Sequence, residues 1–152
     1  MKQYHDIIEQ HRKLTVALSD FNRLRNETEP EIKEIGEEIA KLLTAAKKEH
    51  GFKTDRYYED WMSSYDFISI EYDEDKINIE FWEDGRCGNQ DECLHSIELT
   101  EELLTTEGRA AYAARWVEEM KMKQTDKERQ ASEERIKKIQ RLEAEIKQLQ
   151  SN

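Results

Sequence analysis

Cys87, Cys93 and His95 form the tightest group of soft, metal-capable side chains in this chain, spaced Cys87-x5-Cys93-x-His95. A zinc site wants about four such ligands, usually in short paired spacings. No C-x-x-C occurs, and a fourth ligand would have to be Asp91, Glu92 or the distant His50. The pattern fits two plain reduced thiols better than a metal centre or a disulfide. His95 shares a strand face with Ile97, which favours a packed ring over a ligand. The expectation is no metal and no cofactor.

Other reactive patterns are thinner. Asp73-Glu74-Asp75 resembles the start of a calcium loop, but the glycine at the sixth position and the closing glutamate are missing. The chain has 5 glycines, none in a phosphate-cradling order. It has no nucleophile elbow and no paired-histidine motif. With 35 acidic residues, two carboxylates can always be imagined together, so such a pair says nothing. The sequence reads as non-enzymatic.

Its distinctive feature is where the charge lies. From Gly51 to Thr105 there are 16 Asp and Glu against 4 Lys and Arg, whereas the two flanks together hold 19 against 20. A field concentrated on one unit selects basic partners and speeds encounter with them. An acidic chain is poorly suited to nucleic-acid backbones or anionic lipid, so neither direct nucleic-acid nor membrane binding is expected. No apolar run reaches the ~20 residues of a membrane span, and MKQYHDIIEQ lacks the apolar centre of a signal peptide. A cytoplasmic protein is expected.

The acidic third alternates with period two over Phe67–Tyr72, Lys76–Phe81 and His95–Leu99, with Asp73–Asp75 as a short turn. This predicts a three-stranded antiparallel β-meander. One face would carry Ile68, Ile70, Tyr72, Ile77, Ile79, Phe81, Ile97 and Leu99. The stripe Tyr112, Trp116 and Met120 is its expected cover. The other face would carry Glu71, Glu80 and Glu98 with Phe67, Trp82, Ser69 and Asn78, extended by Asp73, Glu74 and Asp75 at the turn. Aromatic anchors beside selective acids suit a partner-binding surface. A solvated face made acidic for solubility is the plainer alternative. Thr100-Glu-Glu-Leu-Leu predicts a capped short helix or turn.

The flanks are helical. Tyr4, Ile7, His11, Leu14, Leu18, Phe21, Arg25, Thr28, Ile32, Ile35, Ile39, Leu42 and Ala46 keep the 3-4 spacing of a coiled-coil seam. The phase survives Pro30, which favours one kinked helix. A break at Asn26–Pro30 is the alternative. Gly51 is a stop signal. From about Glu107 to Gln150 a second helix carries the stripes Tyr112–Met120 and Ile136, Ile139, Leu142, Ile146 and Leu149, separated by a polar stretch.

The expected architecture is α+β: a helix over residues 1–50, an acidic meander over 51–105 and a helix over 106–152. The outer helices are expected to clasp each other as an antiparallel coiled coil, with partner numbers summing to about 156 so that Leu14 meets Leu142 and Ile39 meets Val117. The seam is Ile7, Leu14, Leu18, Phe21, Ile32, Ile35, Ile39 and Leu42 with Ile139, Leu142, Ile146 and Leu149. Its polar gaps make a homo-oligomer plausible. The layout resembles a prefoldin subunit, which would imply a scaffolding or holding role. The functional expectation is an adaptor or inhibitor whose acidic head docks a basic protein surface. The alternative is a nucleic-acid mimic, of the phage or mobile-element type, directed at a DNA- or RNA-binding protein.

Overall fold

The computed structural model of the chain describes residues 2–53, 60–85 and 90–151. The fold is α+β. It has a long helix α1 (Lys2–His50), a one-turn helix α2 (Trp61–Ser64), strands β1 (Phe67–Asp73), β2 (Lys76–Glu83) and β3 (Glu92–Glu98), and a long helix α3 (Thr106–Gln150). A 3-10 turn at Glu101–Leu104 precedes α3. The three strands form one antiparallel sheet in the order β1-β2-β3. No described helix is long and apolar enough to cross a membrane.

α1 runs unbroken through Pro30. Proline there removes one backbone donor and leaves Asn26 without its helical partner. The strong helix formers around it, and the packing of the next four turns, offset that loss. The helix stops where Gly51 adopts φ +66°, and the Phe52 amide reaches back to the Lys47 carbonyl at 3.2 Å. That is the hydrogen bond of a glycine C-terminal cap.

The core lies between α1 and one face of the sheet. Ile32, Ile39, Ala40 and Leu43 of α1 are buried against Ile68, Ile79, Phe81, Leu94 and Ile97, with Ile35 at the margin. Leu43, Ile39, Ile79 and Phe81 are almost wholly buried, and each contributes about 1.5–3 kcal/mol by leaving water. Gly36 sets the separation: a Cβ there would stand 2.8 Å from Ile79 Cγ2 and 3.2 Å from Ile68 Cδ1. Trp61 and Met62 close one end, with the Trp61 ring 4.4 Å from Phe81 and stacked 4.3 Å from His95. β3 carries an irregularity opposite Phe81 and Trp82, which lets Leu94 turn inward beside His95.

Two expectations need correction. The cover of the sheet is α1, while Tyr112 and Trp116 of α3 pack at the edge of the core. The helices also do not clasp antiparallel. Arg109 Nε lies 2.7 Å from Glu38 Oε2, and further along both helices Trp116 meets Phe52, just past the end of α1, at 5.9 Å. Residue numbers rise together on the two sides, so α1 and α3 run in the same direction where they touch. The cause is parity. The chain reverses into β1, β2, β3 and again into α3, and four reversals restore the direction of α1. The N-terminal half of α1 and the C-terminal half of α3 therefore leave the head from opposite ends. Leu14 and Leu142 do not meet within one chain; both are exposed.

Candidate functional site

The hairpin register pairs Phe67 with Trp82, Ser69 with Glu80 and Glu71 with Asn78. Across β2 it pairs Asn78 with Glu98, Glu80 with Ser96 and Trp82 with Cys93. Residues directly opposite share a face, and alternate residues along a strand do too. Phe67, Glu71, Glu80, Trp82, Glu98 and Cys93 thus stand together on the outer face, opposite the one packed on α1. The sequence had placed all of these there except Cys93.

The carboxylates are held differently. Glu80 is half-buried and accepts from Ser69 Oγ at 3.1 Å and Trp82 Nε1 at 3.0 Å, both on Oε2. Its orientation is fixed, and its Oε1 takes no part in either bond. Glu71 accepts from Asn78 Nδ2 at 3.0 Å. Glu98 lies 3.3 Å from Lys76 Nζ, both about half exposed. Asp73, Glu74 and Asp75 are exposed at the hairpin tip, where Glu74 takes φ +24°. At the other end, Phe67 and Trp82 stack with centroids 6.2 Å apart and planes 8° apart. The seven residues of β1 run from the aromatic pair to the acidic tip, about 20 Å at the strand rise.

Other acids in this third serve the fold. Asp66 Oδ2 accepts from the Asp84 amide and Asp91 Oδ1 from the Gly85 amide, each at 2.9 Å. Asp60 pairs with Lys47, and Glu102 takes both terminal nitrogens of Arg115 at 2.7 Å. That bidentate grip holds Glu102 below the usual carboxylate range. Charge counting alone cannot separate these structural acids from the outer-face ones. Strand alternation can, because it selects residues by face.

Of the Cys–His group, Cys87 lies outside the described residues. Cys93 is exposed and donates from Sγ to the His95 carbonyl at 3.5 Å. Partial burial, then the charges of Glu80 and Glu71, push its thiol up, which suppresses the reactive thiolate. His95 faces inward onto Trp61, and burial pulls its pKa down. Among the described residues no three His, Cys, Asp or Glu side chains are placed to share a metal ion.

The named seam residues divide by face and by arm. Ile32 and Ile39 are buried and Ile35 half-buried beneath the sheet, while Ile7, Leu14, Leu18, Phe21, Leu42, Ile139, Leu142, Ile146 and Leu149 are exposed. Phe21 meets Tyr72 edge-on at 5.7 Å, and Tyr72 donates to Glu29 Oε1 at 3.3 Å, so the tip of the sheet ends there. A groove of about 490 Å³ lies beside α3, away from the acidic face, lined by Phe52, Lys53, Met120, Lys123 and Lys127 among others. No protein-family model matches this chain, and no curated protein and no solved structure matches it.

Proposed function

We propose that this chain is a non-catalytic binding protein whose outer sheet face docks a basic surface of a partner protein. The observation that carries the reading is the composition of that face: acceptor carboxylates on three strands, with a stacked aromatic pair at one end. Ionised carboxylates accept strongly from guanidinium groups, in bidentate fashion where space allows. The Phe67–Trp82 stack adds a surface for an arginine or lysine stem, with a cation–π gain of about 0.5–2 kcal/mol. The strip is about 20 Å long, which suits a strand or helix face carrying several basic residues.

The test is capture of partners from native lysate on the wild-type chain and on a Glu71→Lys, Glu80→Lys, Glu98→Lys variant, read by mass spectrometry. Proteins held by the wild type, released by raised salt and absent from the variant support the reading. Equal capture by both chains overturns it. Release of those same proteins by added DNA would favour the nucleic-acid-mimic form of the reading. Insensitivity to DNA would favour an adaptor.

A further inference from the structure

We propose that two copies of this chain form a two-fold dimer in which the exposed N-terminal arm of α1 in each copy lies antiparallel along the exposed C-terminal arm of α3 in the other. The proposal is independent of the acidic-face reading.

The arms are apolar stripes without cover in one chain. Ile7 and Leu14 are 66 % and 69 % exposed, and Ile139 and Ile146 are 54 % and 53 % exposed. Seam residues at this exposure, repeated over several turns, are rare on a monomer. A lone helix arm is also marginal in water. The fold prevents the two arms of one chain from meeting, because they leave the head at opposite ends. A second copy turned through 180° across the long axis puts its α1 arm beside the first copy's α3 arm, and its α3 arm beside the first copy's α1 arm. Both stripes are then covered twice by one operation, and the assembly is closed.

Charge and register select this pairing. The stretch 4–32 holds six acids and four bases, a balance of −2, while 121–149 holds six acids and nine bases, a balance of +3. Pairing α1 with α1, or α3 with α3, brings like charge together. An antiparallel seam sets the first apolar position of one heptad against the second of the other. That gives Tyr4 with Leu149, Ile7 with Ile146, His11 with Leu142 and Leu14 with Ile139, all beyond the hairpin tip at Phe21. Arg25 falls opposite Glu128. One heptad further, Arg25 would face Arg135, Ile139 would land on Phe21, already in contact with Tyr72, and Tyr4 and Ile7 would lie past the last turn of α3 at Gln150. In the favoured register Lys121 falls opposite Ile32, the first residue of α1 buried beneath the partner's sheet. The arms therefore match in length and the two heads lie side by side.

The test is disulfide trapping of the full-length chain with Cys87 and Cys93 replaced by serine. A Leu14→Cys chain mixed with an Ile139→Cys chain should give a covalent two-chain product on oxidation, and neither chain alone should. A product from Leu14→Cys alone would show like-with-like pairing and overturn the proposal. So would an internally bridged monomer from the double variant, or a monomeric mass by light scattering of the wild type at tens of micromolar. Ile7→Asp with Leu14→Asp should weaken dimerisation at least 100-fold. It should leave the head folded, read by the fluorescence of the buried Trp61, since neither residue touches the core. A dimer unaffected by these two changes also overturns the proposal.

Discussion

Glu38 and Arg109 face each other across the contact between α1 and α3, with Nε 2.7 Å from Oε2, yet they are not equivalent partners. Arg109 is buried, and Glu38 is about half exposed. The Nε–H points away from a good hydrogen-bond line to the carboxylate, so the contact is an ion pair by distance alone. The directed bonds of Arg109 run elsewhere: Nη1 donates to the Leu103 carbonyl at 2.9 Å and Nη2 to Thr106 Oγ1 at 3.4 Å. The guanidinium thus pins the 3-10 turn to the start of α3, and Glu38 only balances its charge. Arg109→Met strands a buried carbonyl and should cost about 2–3 kcal/mol. Glu38→Gln should cost under about 1 kcal/mol, because its partly solvated carboxylate gains little from pairing. Urea unfolding of both variants checks this. Equal losses would mean that the ion pair itself holds the helices together.

Gly36 brings α1 hard against the sheet, at Ile79, Ile68 and Phe81. Alanine raises helix propensity by about 1 kcal/mol, but its methyl would press on Ile79 Cγ2, which is rigidly placed on a fully buried side chain. Overpacking of this kind costs about 1–3 kcal/mol. Gly36→Ala should therefore lower stability despite the better helix former, and Gly36→Val should lower it further. A rise in melting temperature for Gly36→Ala would show that α1 can ride away from the sheet.

Three strands and both sheet faces were legible because period-two alternation is a local signal, and Ile68, Ile79 and Glu80 each announce their face through their neighbours; the start of β3 was not, since it begins at Glu92 and not at His95. The limits of α1 and α3 were legible for the same reason, through the Gly51 stop and the unbroken helix formers after Glu107. Chain direction was not legible. It depends on counting reversals through α1, three strands and α3, and the heptad positions Ile32, Ile35 and Ile39 look the same whether a helix or a sheet covers them. Trp61 and Met62 escaped notice because a one-turn helix has no periodicity to detect, and Leu94 because the irregularity in β3 takes it out of alternation. The structural acids Asp66 and Asp91 were hidden among 35 acidic residues.

Two glycines should respond to alanine for different reasons. A Cβ on Gly108 would stand 1.8 Å from the Glu102 carbonyl oxygen, within the 3-10 turn. The turn would have to move, and the Thr105 cap, whose Oγ1 accepts from the Gly108 amide at 3.0 Å, would move with it. Gly108→Ala should cost about 3 kcal/mol. Gly51 has open space around its Cα, but its φ of +66° disfavours a side chain. Gly51→Ala should cost about 1 kcal/mol, and Gly51→Asn less, because asparagine tolerates the left-handed region. Denaturant midpoints of the three variants should fall in that order.

His95 should make stability depend on pH in a definite direction. Burial, with the ring stacked on Trp61 and β2's Phe81 opposite, lowers its pKa below 6.5 in the folded chain. The unfolded chain therefore binds the proton first as pH falls. The stabilising contribution of the neutral ring is complete above about pH 6.5 and is lost progressively as the pH falls from there towards the folded-state pKa. Glu80 and Glu71 lie across the sheet on the outer face, so no carboxylate on that face is positioned to rescue the imidazolium. The urea midpoint should drop between pH 7.5 and 5.5, and His95→Phe, which keeps a flat ring against Trp61, should remove most of that drop. A drop that persists undiminished in His95→Phe would place the proton-sensitive group elsewhere.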